Sequence, residues 1–221
     1  MKSAEITRPL RRIDRRRART RAALLAAGRA LLGSREVEGL SVDEIVAAAD
    51  VAKGSFYNHF ADKDVFAREI AAAVRKQAEV AVARANEGIT DPALRLAQAL
   101  CVFVRFATEH RDSAQLLWRL NSGATMAEAP VNRGLRAEVL QVAQAAPLAR
   151  IDVETAVLLV MGTIIIAMRH VLEERAVTPP RLIAARMSAY MLRALGLSAR
   201  RAQSHAAKAT KTIFDHTLLQ G

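Results

Sequence analysis

Two short apolar repeats, separated by about three residues, constrain the fold of this chain more than any other feature of its sequence. The first opens with Ser41 and Glu44, which have the spacing of a capping box. It continues at helical spacing through Val42, Ile45, Val46 and Ala49. The second repeat consists of Ala52, Phe56 and Phe60. The first helix must therefore end near Asp50, which predicts a helix-turn-helix.

Composition favours helices in the rest of the chain. The 221 residues include only 10 glycines and 6 prolines, and 52% of them are hydrophobic. No stretch shows the alternating β-branched pattern of a strand. We therefore expect an all-α fold, with a small N-terminal module of three helices ahead of a larger helical body. Asp62 is expected to cap a fourth helix, and further helices are predicted at about 92–109, 112–121, 131–145, 152–174 and 179–195.

Positive charge is concentrated at the N-terminus. The formal net charge is +11, and residues 1–21 hold nine Lys and Arg residues against Glu5 and Asp14, a net +7. We expect residues 1–19 to form a flexible basic arm. Such an arm suits a polyanion or an anionic membrane surface, although a solvated leader that only aids solubility has the same composition.

Cysteine usage and hydropathy indicate a soluble cytoplasmic protein. Cys101 is the only cysteine in the sequence, which excludes an internal disulfide framework. It lies in the apolar run ALCVFV, which favours a buried inert thiol over a redox sensor. The longest uncharged apolar run, TAVLLVMGTIIIAM, has only 14 residues, fewer than the ~20 that a membrane span needs.

The predicted helix at 52–60 has two different faces. Ala52, Phe56 and Phe60 share the face that must pack inward. The other side carries polar groups that suit a nucleic acid, namely Lys53, Ser55, Tyr57, Asn58 and His59. Gly54 disfavours a helix interior by about 1 kcal/mol against alanine, so its presence indicates close approach of a partner to the backbone. The sequence therefore predicts a DNA-recognition helix.

The segment from Thr20 to Phe66 resembles the DNA-binding module of the TetR family of bacterial transcriptional regulators. The resemblance rests on TRAALLAAGRALL, on SVDEIVAAADVAKGSFYNHF and on the following DKD. It implies that the polar side chains of the 52–60 helix, from Lys53, Ser55, Tyr57, Asn58 and His59, face DNA. It also implies that Ser41 and Lys63 bind phosphates, in agreement with the affinity of helix N-termini for anions.

Three positions depart from the usual pattern of the family. Asp50 stands where the turn usually has glycine, and aspartate tolerates the left-handed conformation better than most residues. Ala52 replaces a serine and supplies neither an N-cap nor a phosphate contact. Glu36 stands near a position that is usually glycine. The turn should therefore form with one phosphate contact fewer.

The resemblance further implies a homodimer that binds a palindromic operator and a small-molecule effector. Residues 20–66 would form the DNA-binding domain, 67–197 the effector-binding and dimerisation domain, and 198–221 a tail or an extra helix. The helices at 152–174 and 179–195 are too apolar for one monomer to bury, so we expect them to pair across a two-fold axis, where Gly162 permits close approach. Helix four begins at Lys63 and continues into the body. A tilt of this helix on effector binding would therefore change the spacing of the two recognition helices.

Candidate pocket residues come from the middle helices, and few charges accompany them, which favours a hydrophobic or weakly polar effector. They are Phe103, Phe106, Trp118, Asn121, Met126, Met161 and Met168. No catalytic motif, cofactor motif or metal-ligand spacing is present in the sequence, so we expect neither an enzyme nor a cofactor. A constitutive DNA-binding protein without an effector and a helical small-molecule carrier remain as alternatives.

Overall fold

The computed structural model describes residues 12–35, 37, 39–119, 132–145 and 151–215. These residues form an all-α fold of ten helices and contain no strand. The helices are α1 Arg12–Ser34, α2 Val42–Ala48, α3 Lys53–Tyr57, α4 Lys63–Ala85, α5 Pro92–Glu109, α6 Arg111–Arg119, α7 Arg133–Ala145, α8 Val153–Leu172, α9 Pro180–Ala194 and α10 Ala199–Asp215. Nearly every predicted helix is present within a few residues of its expected ends.

The chain divides into two compact units, Met1–Ile70 and Ala71–Gly221. The division falls inside α4, beyond Phe66, where the resemblance in sequence ends. Helix α1 also begins earlier than expected, at Arg12 rather than near Thr20. Arginine and alanine are strong helix formers, and Asp14 in the first turn faces the positive end of the helix dipole. Residues 1–11 of the expected arm lie outside the described residues.

A cluster of three phenylalanines holds the N-terminal unit together, as the apolar repeat predicts. Phe56, Phe60 and Phe66 are each at most 1% exposed. Their ring centroids lie 5.3 Å apart between Phe56 and Phe66 and 4.8 Å apart between Phe60 and Phe66, both in edge-to-face orientation. The backbone of α1 approaches this cluster at Gly28, where a Cβ atom would overlap the Phe66 ring. The cluster thus fixes α3 onto α4 and α1.

The turn between α2 and α3 has the two features expected from its unusual residues. Asp50 has φ +53°, in the left-handed region. Ala52 occupies the N-cap position of α3 in extended conformation, and no side chain caps the helix there. Both expectations are confirmed, because the turn forms with aspartate in place of glycine and α3 begins without a side-chain cap.

The C-terminal unit is organised around α5, which packs against α6, α7, α8, α9 and α10. Cys101 on α5 is buried, and its Sγ lies 3.8 Å from both Ser188 Oγ and Thr210 Oγ1. Burial raises the pKa of this thiol to about 11, so it stays protonated at neutral pH, as an inert thiol should. The extra helix, one of two alternatives for the tail, is observed as α10, and residues 216–221 lie outside the described residues.

Helices α8 and α9 keep large apolar side chains in contact with solvent. These are Leu158 and Ile166 on α8, and Leu182 and Tyr190 on α9. With 20 residues and a mean hydropathy of 2.0, α8 is the one helix among the described residues that is long and apolar enough to cross a membrane. It extends the 14-residue apolar run to include Glu154, Arg169 and His170. It also packs against α5, α6, α7 and α9, as the core helix of a helical protein does.

The left-handed conformation of Asp50 can be tested by two substitutions. Asp50→Val should lower the free energy of unfolding by about 1–2 kcal/mol, because a β-branched side chain clashes in this conformation. Asp50→Gly has no Cβ atom and therefore no strain in this conformation, but glycine also raises the conformational entropy of the unfolded chain. The stability of this variant should therefore stay close to that of the wild type. Urea unfolding followed by circular dichroism measures both. Equal stability of the valine variant would contradict the observed φ angle.

Candidate nucleic-acid interface

The start of α2 is built by a complete capping box. The Ser41 Oγ accepts a hydrogen bond from the Glu44 backbone N–H at 3.2 Å, and the Glu44 Oε2 accepts one from the Ser41 N–H at 2.9 Å. Hydrogen bonds from Arg35 and Ser41 hold the pKa of Glu44 down at about 2. Ser41 is exposed and lies at a helix N-terminus, as expected for a phosphate contact.

Helix α3 presents its polar side chains on the surface of the N-terminal unit. Lys53, Gly54, Tyr57 and Asn58 are exposed, whereas Ser55 and His59 are half-buried. Tyr57 is 56% exposed, although its ring packs against buried Phe56 in an edge-to-face arrangement. A Cβ atom at Gly54 would meet nothing within 4 Å, so no contact within the protein requires glycine here. The faces of α3 are therefore divided as the sequence predicts.

Two of the predicted DNA-binding lysines already have partners within the protein. Lys53 Nζ lies 2.9 Å from the carboxylate of Asp43 on α2, and this ion pair raises the pKa of Lys53. Lys63 Nζ donates to the backbone carbonyl of Leu40 at 2.7 Å and to that of Val37 at 3.4 Å. No local pattern in the sequence predicts either partner. Lys63 thus ties the start of α4 to the segment before α2.

The N-terminal turns of α1 form a cleft with α3, a feature that the sequence does not predict. The cleft is an open surface depression of about 530 Å³, and it is lined by Arg16, Arg17, Thr20, Ser55, Asn58 and His59. Burial, followed by the charges of Arg17 and Arg21, lowers the pKa of His59. His59 is therefore neutral at physiological pH.

Arg21 connects α1 to the aromatic cluster. Its guanidinium pairs with the carboxylate of Glu69 on α4 and lies 5.5 Å from the centroid of the Phe60 ring. These two contacts fix the turn of α1 that follows Thr20. The arginines one turn earlier, Arg16 and Arg17, are both exposed.

The predicted pocket residues occupy different environments. Phe106 and Met168 are buried, and Phe103 and Met161 are half-buried. Asn121, Met126 and the side chain of Trp118 lie outside the described residues. A cleft of about 260 Å³ in the C-terminal unit has other lining residues, namely Thr90, Asp91, Pro92, Ala93, Val142, Leu197 and Arg201. The effector pocket therefore stays a prediction.

The described side chains include no group of three or more His, Cys, Asp or Glu residues that could hold a metal ion. The polar side chains of the N-terminal unit lie on the exposed side of the short helix α3. Helix α3 follows the capped helix α2 after a tight turn. A helix-turn-helix of this kind defines the protein as a DNA-binding protein.

Residues 24–70 match the family model described as bacterial regulatory proteins, tetR family. This segment of the chain is therefore similar to the DNA-binding domain of that family. The matched segment runs from α1 into α4 and includes the whole helix-turn-helix. A sequence search among curated proteins returned no match.

Solved structures share the fold over nearly their whole length. A tetR-family regulator from Shewanella sp. PV-4 superposes with a TM-score of 0.70 at 16% identity, covering 81% of this chain and 99% of that one. A gamma-butyrolactone receptor described as ArpA-like gives 0.63 at 19% identity, covering 89% and 98%. RolR in complex with resorcinol gives 0.58 at 22% identity, covering 88% and 96%. The TM-scores show that these proteins share the fold of this chain.

Substitution of Gly54 tests DNA binding separately from the stability of the fold. Gly54→Ala fills open space on an exposed helix, so the variant should be as stable as the wild type or slightly more stable. If DNA approaches the α3 backbone, the added methyl group should weaken binding by about 5-fold or more, the effect of about 1 kcal/mol. Thermal unfolding and fluorescence anisotropy with labelled DNA measure the two effects. A variant that binds DNA as tightly as the wild type would exclude close approach at Gly54.

Proposed function

We propose that the protein is a homodimeric transcriptional repressor that binds a palindromic operator and is released from it by a small-molecule effector. The observation that carries this proposal is α3, a recognition helix whose apolar side is buried and whose polar side is exposed. The protein acts without catalysis, in the cytoplasm, and is associated with the nucleoid when bound to DNA.

We assign the DNA contacts to the exposed side of α3 and to the starts of α2 and α4. The assigned residues are Ser41, Lys53, Gly54, Ser55, Tyr57, Asn58, His59 and Lys63. The ion pair of Lys53 with Asp43 is more than half exposed on both sides, so it contributes little to stability and a DNA phosphate can displace it. Lys63 uses two of its three donors within the protein, which leaves one for a phosphate.

The exposed apolar residues of α8 and α9 support the homodimer. Ile166 is 54% exposed and Tyr190 is 65% exposed, a costly arrangement unless a partner covers them. Gly162 lies between Leu158 and Ile166 on α8, and a Cβ atom there would meet nothing within 4 Å of the same chain. A second copy of α8 is therefore free to approach closely. The resulting pair of α3 helices would read two half-sites of a palindrome.

The effector is proposed to bind among the middle helices of the C-terminal unit. Two proteins of the same fold are a receptor for gamma-butyrolactone and a protein complexed with resorcinol, both small and weakly polar compounds. The predominantly apolar surroundings of α5 and α8 favour a ligand of the same character. Helix α4 belongs to both units, so a shift of this helix would link the effector site to the DNA.

DNA selection tests the function directly. Purified protein should retain a discrete set of genomic fragments that share a palindrome. Tyr57→Ala should weaken binding to a selected fragment by about 5- to 150-fold, the effect of removing an interaction of 1–3 kcal/mol. Gln203→Ala, a neutral change on an exposed turn of α10, serves as the matched control. A folded Tyr57→Ala variant that binds like the control would contradict the assignment of α3.

The same selected fragment tests the effector. Addition of an apolar or weakly polar compound, such as resorcinol or a gamma-butyrolactone, should release the fragment at constant ionic strength. Failure of every such compound class to release it would favour a regulator that binds DNA constitutively.

The homodimer can be tested by a bulky side chain at Gly162. Gly162→Trp has room within the protomer but would block approach of a second α8, so the dimer should dissociate at least tenfold more readily, the effect of 1.4 kcal/mol or more. Gly134→Trp is the matched control, because Gly134 on α7 is also exposed and free of neighbours within 4 Å. Analytical ultracentrifugation measures the dissociation constants. Equal constants for both variants would place the dimer contact away from Gly162.

A further inference from the structure

We infer that the cleft between the first turns of α1 and helix α3 seats a backbone phosphate of DNA, beside the groove that α3 enters. This inference rests on the proposed DNA-binding function and adds a contact to it. Arg16 and Arg17 are its cationic residues, and the sequence pattern singles out neither of them as a site residue. The cleft is lined on one side by α1 and on the other by Ser55, Asn58 and His59.

Helical spacing places Arg16 and Arg17 on the side of α1 that faces the helix-turn-helix. Positions 17, 20, 24 and 28 fall on one face at 100° per residue, and Leu24 and Gly28 on this face are buried. Arg17 therefore lies on the same face of α1 as the buried residues Leu24 and Gly28, nearer to the N-terminus. Arg16 lies at the edge of this face. Arg15 and Arg19 fall on the opposite side of the helix. Arg16 and Arg17 therefore lie on the side of α1 nearer to α3, and Arg15 and Arg19 lie on the side away from it.

The distribution of ion pairs in the N-terminal unit favours Arg16 and Arg17 as phosphate ligands. Three other cations near α3 have partners within the protein. Arg21 pairs with Glu69, Lys63 donates to carbonyl groups, and Lys53 forms an exposed pair with Asp43 that a phosphate can displace. Among the described residues, no carboxylate pairs with Arg16 or Arg17. Their guanidinium groups therefore stay available for an anion, and they provide the planar donor pairs that match phosphate oxygens.

The remaining lining residues also suit a phosphate. Thr20 and Ser55 supply hydroxyl donors, Asn58 supplies an amide, and His59 supplies a ring N–H. The lining contains two arginines and no carboxylate, so its charge favours an anion over a cation as the occupant. Ser55, Asn58 and His59 belong to the helix-turn-helix itself, so an anion in this cleft would touch the proposed recognition surface. A DNA phosphodiester is the anion that meets both requirements.

The test compares the salt dependence of DNA binding between two double variants of equal charge. Arg16→Gln/Arg17→Gln removes the cleft arginines, and Arg15→Gln/Arg19→Gln removes the pair on the opposite side of the same helix. The probe is a duplex that the wild-type protein has selected from genomic DNA. The slope of log affinity against log salt should fall by about 0.9 per protomer for each phosphate that the cleft variant can no longer bind. It should change less in the opposite-side variant.

Two further measurements make the result decisive. Arg16→Lys/Arg17→Lys keeps the charge and should retain most of the slope while binding DNA less tightly, because lysine lacks the paired donors of arginine. Circular dichroism checks that each variant is folded. Equal slopes for the cleft and opposite-side variants would overturn the inference, since they would show only a diffuse effect of basic charge. An unchanged slope in the cleft variant would overturn it as well.

The outcome also separates this inference from the proposed function. If the wild-type protein selects no DNA, the proposed function fails first. If the wild-type protein selects DNA and the cleft variant binds it with an unaltered slope, the regulator stands and the phosphate cleft is excluded.

Discussion

Burial of Phe56 is the interaction on which the recognition surface depends. Helix α3 has only five residues, far fewer than the ~12–15 that an isolated helix needs to be even marginally stable in water. No side chain caps its first turn at Ala52, and Gly54 lowers its helix propensity further. Its position must therefore come from tertiary packing, and the cluster of Phe56, Phe60 and Phe66 supplies it. The polar side of α3 is oriented because its apolar side is held.

The proposed DNA contacts require cations that are held in place but keep donors or charge available for a phosphate. Lys53 achieves this through an exposed pair with Asp43, which a phosphate can replace at small cost. Lys63 achieves it by bonding to two carbonyl groups, which orient the ammonium group but leave its charge uncompensated. The intramolecular partners therefore reduce the side-chain entropy that DNA binding would otherwise cost, about 0.5–1.5 kcal/mol for each ordered side chain. At both positions the intramolecular partner orders the lysine side chain and still allows it to bind a phosphate.

The sequence predicts those features of the molecule that depend on local spacing. The capping box of Ser41 and Glu44, the burial of Phe56 and the left-handed turn at Asp50 all follow from a few neighbouring residues, and all three are confirmed. The start of α1 does not follow in this way, because the arginine-rich segment has helix propensity but no apolar repeat. Partners distant in sequence, such as Leu40 for Lys63 or Arg17 for His59, cannot be predicted because only the fold brings them together.

The helical start of α1 changes what its arginines can do. In a flexible arm, each arginine must lose backbone and side-chain freedom before it contacts DNA, and backbone ordering alone costs about 1–2 kcal/mol per residue. In α1 the backbone of Arg16 and Arg17 is already ordered, and Arg21 anchors the next turn through Glu69 and the Phe60 ring. The same cluster that positions α3 therefore also positions this arginine pair. The arginine-rich start of α1, whose composition alone would also suit a solvated leader, is therefore ordered and lines the cleft beside α3.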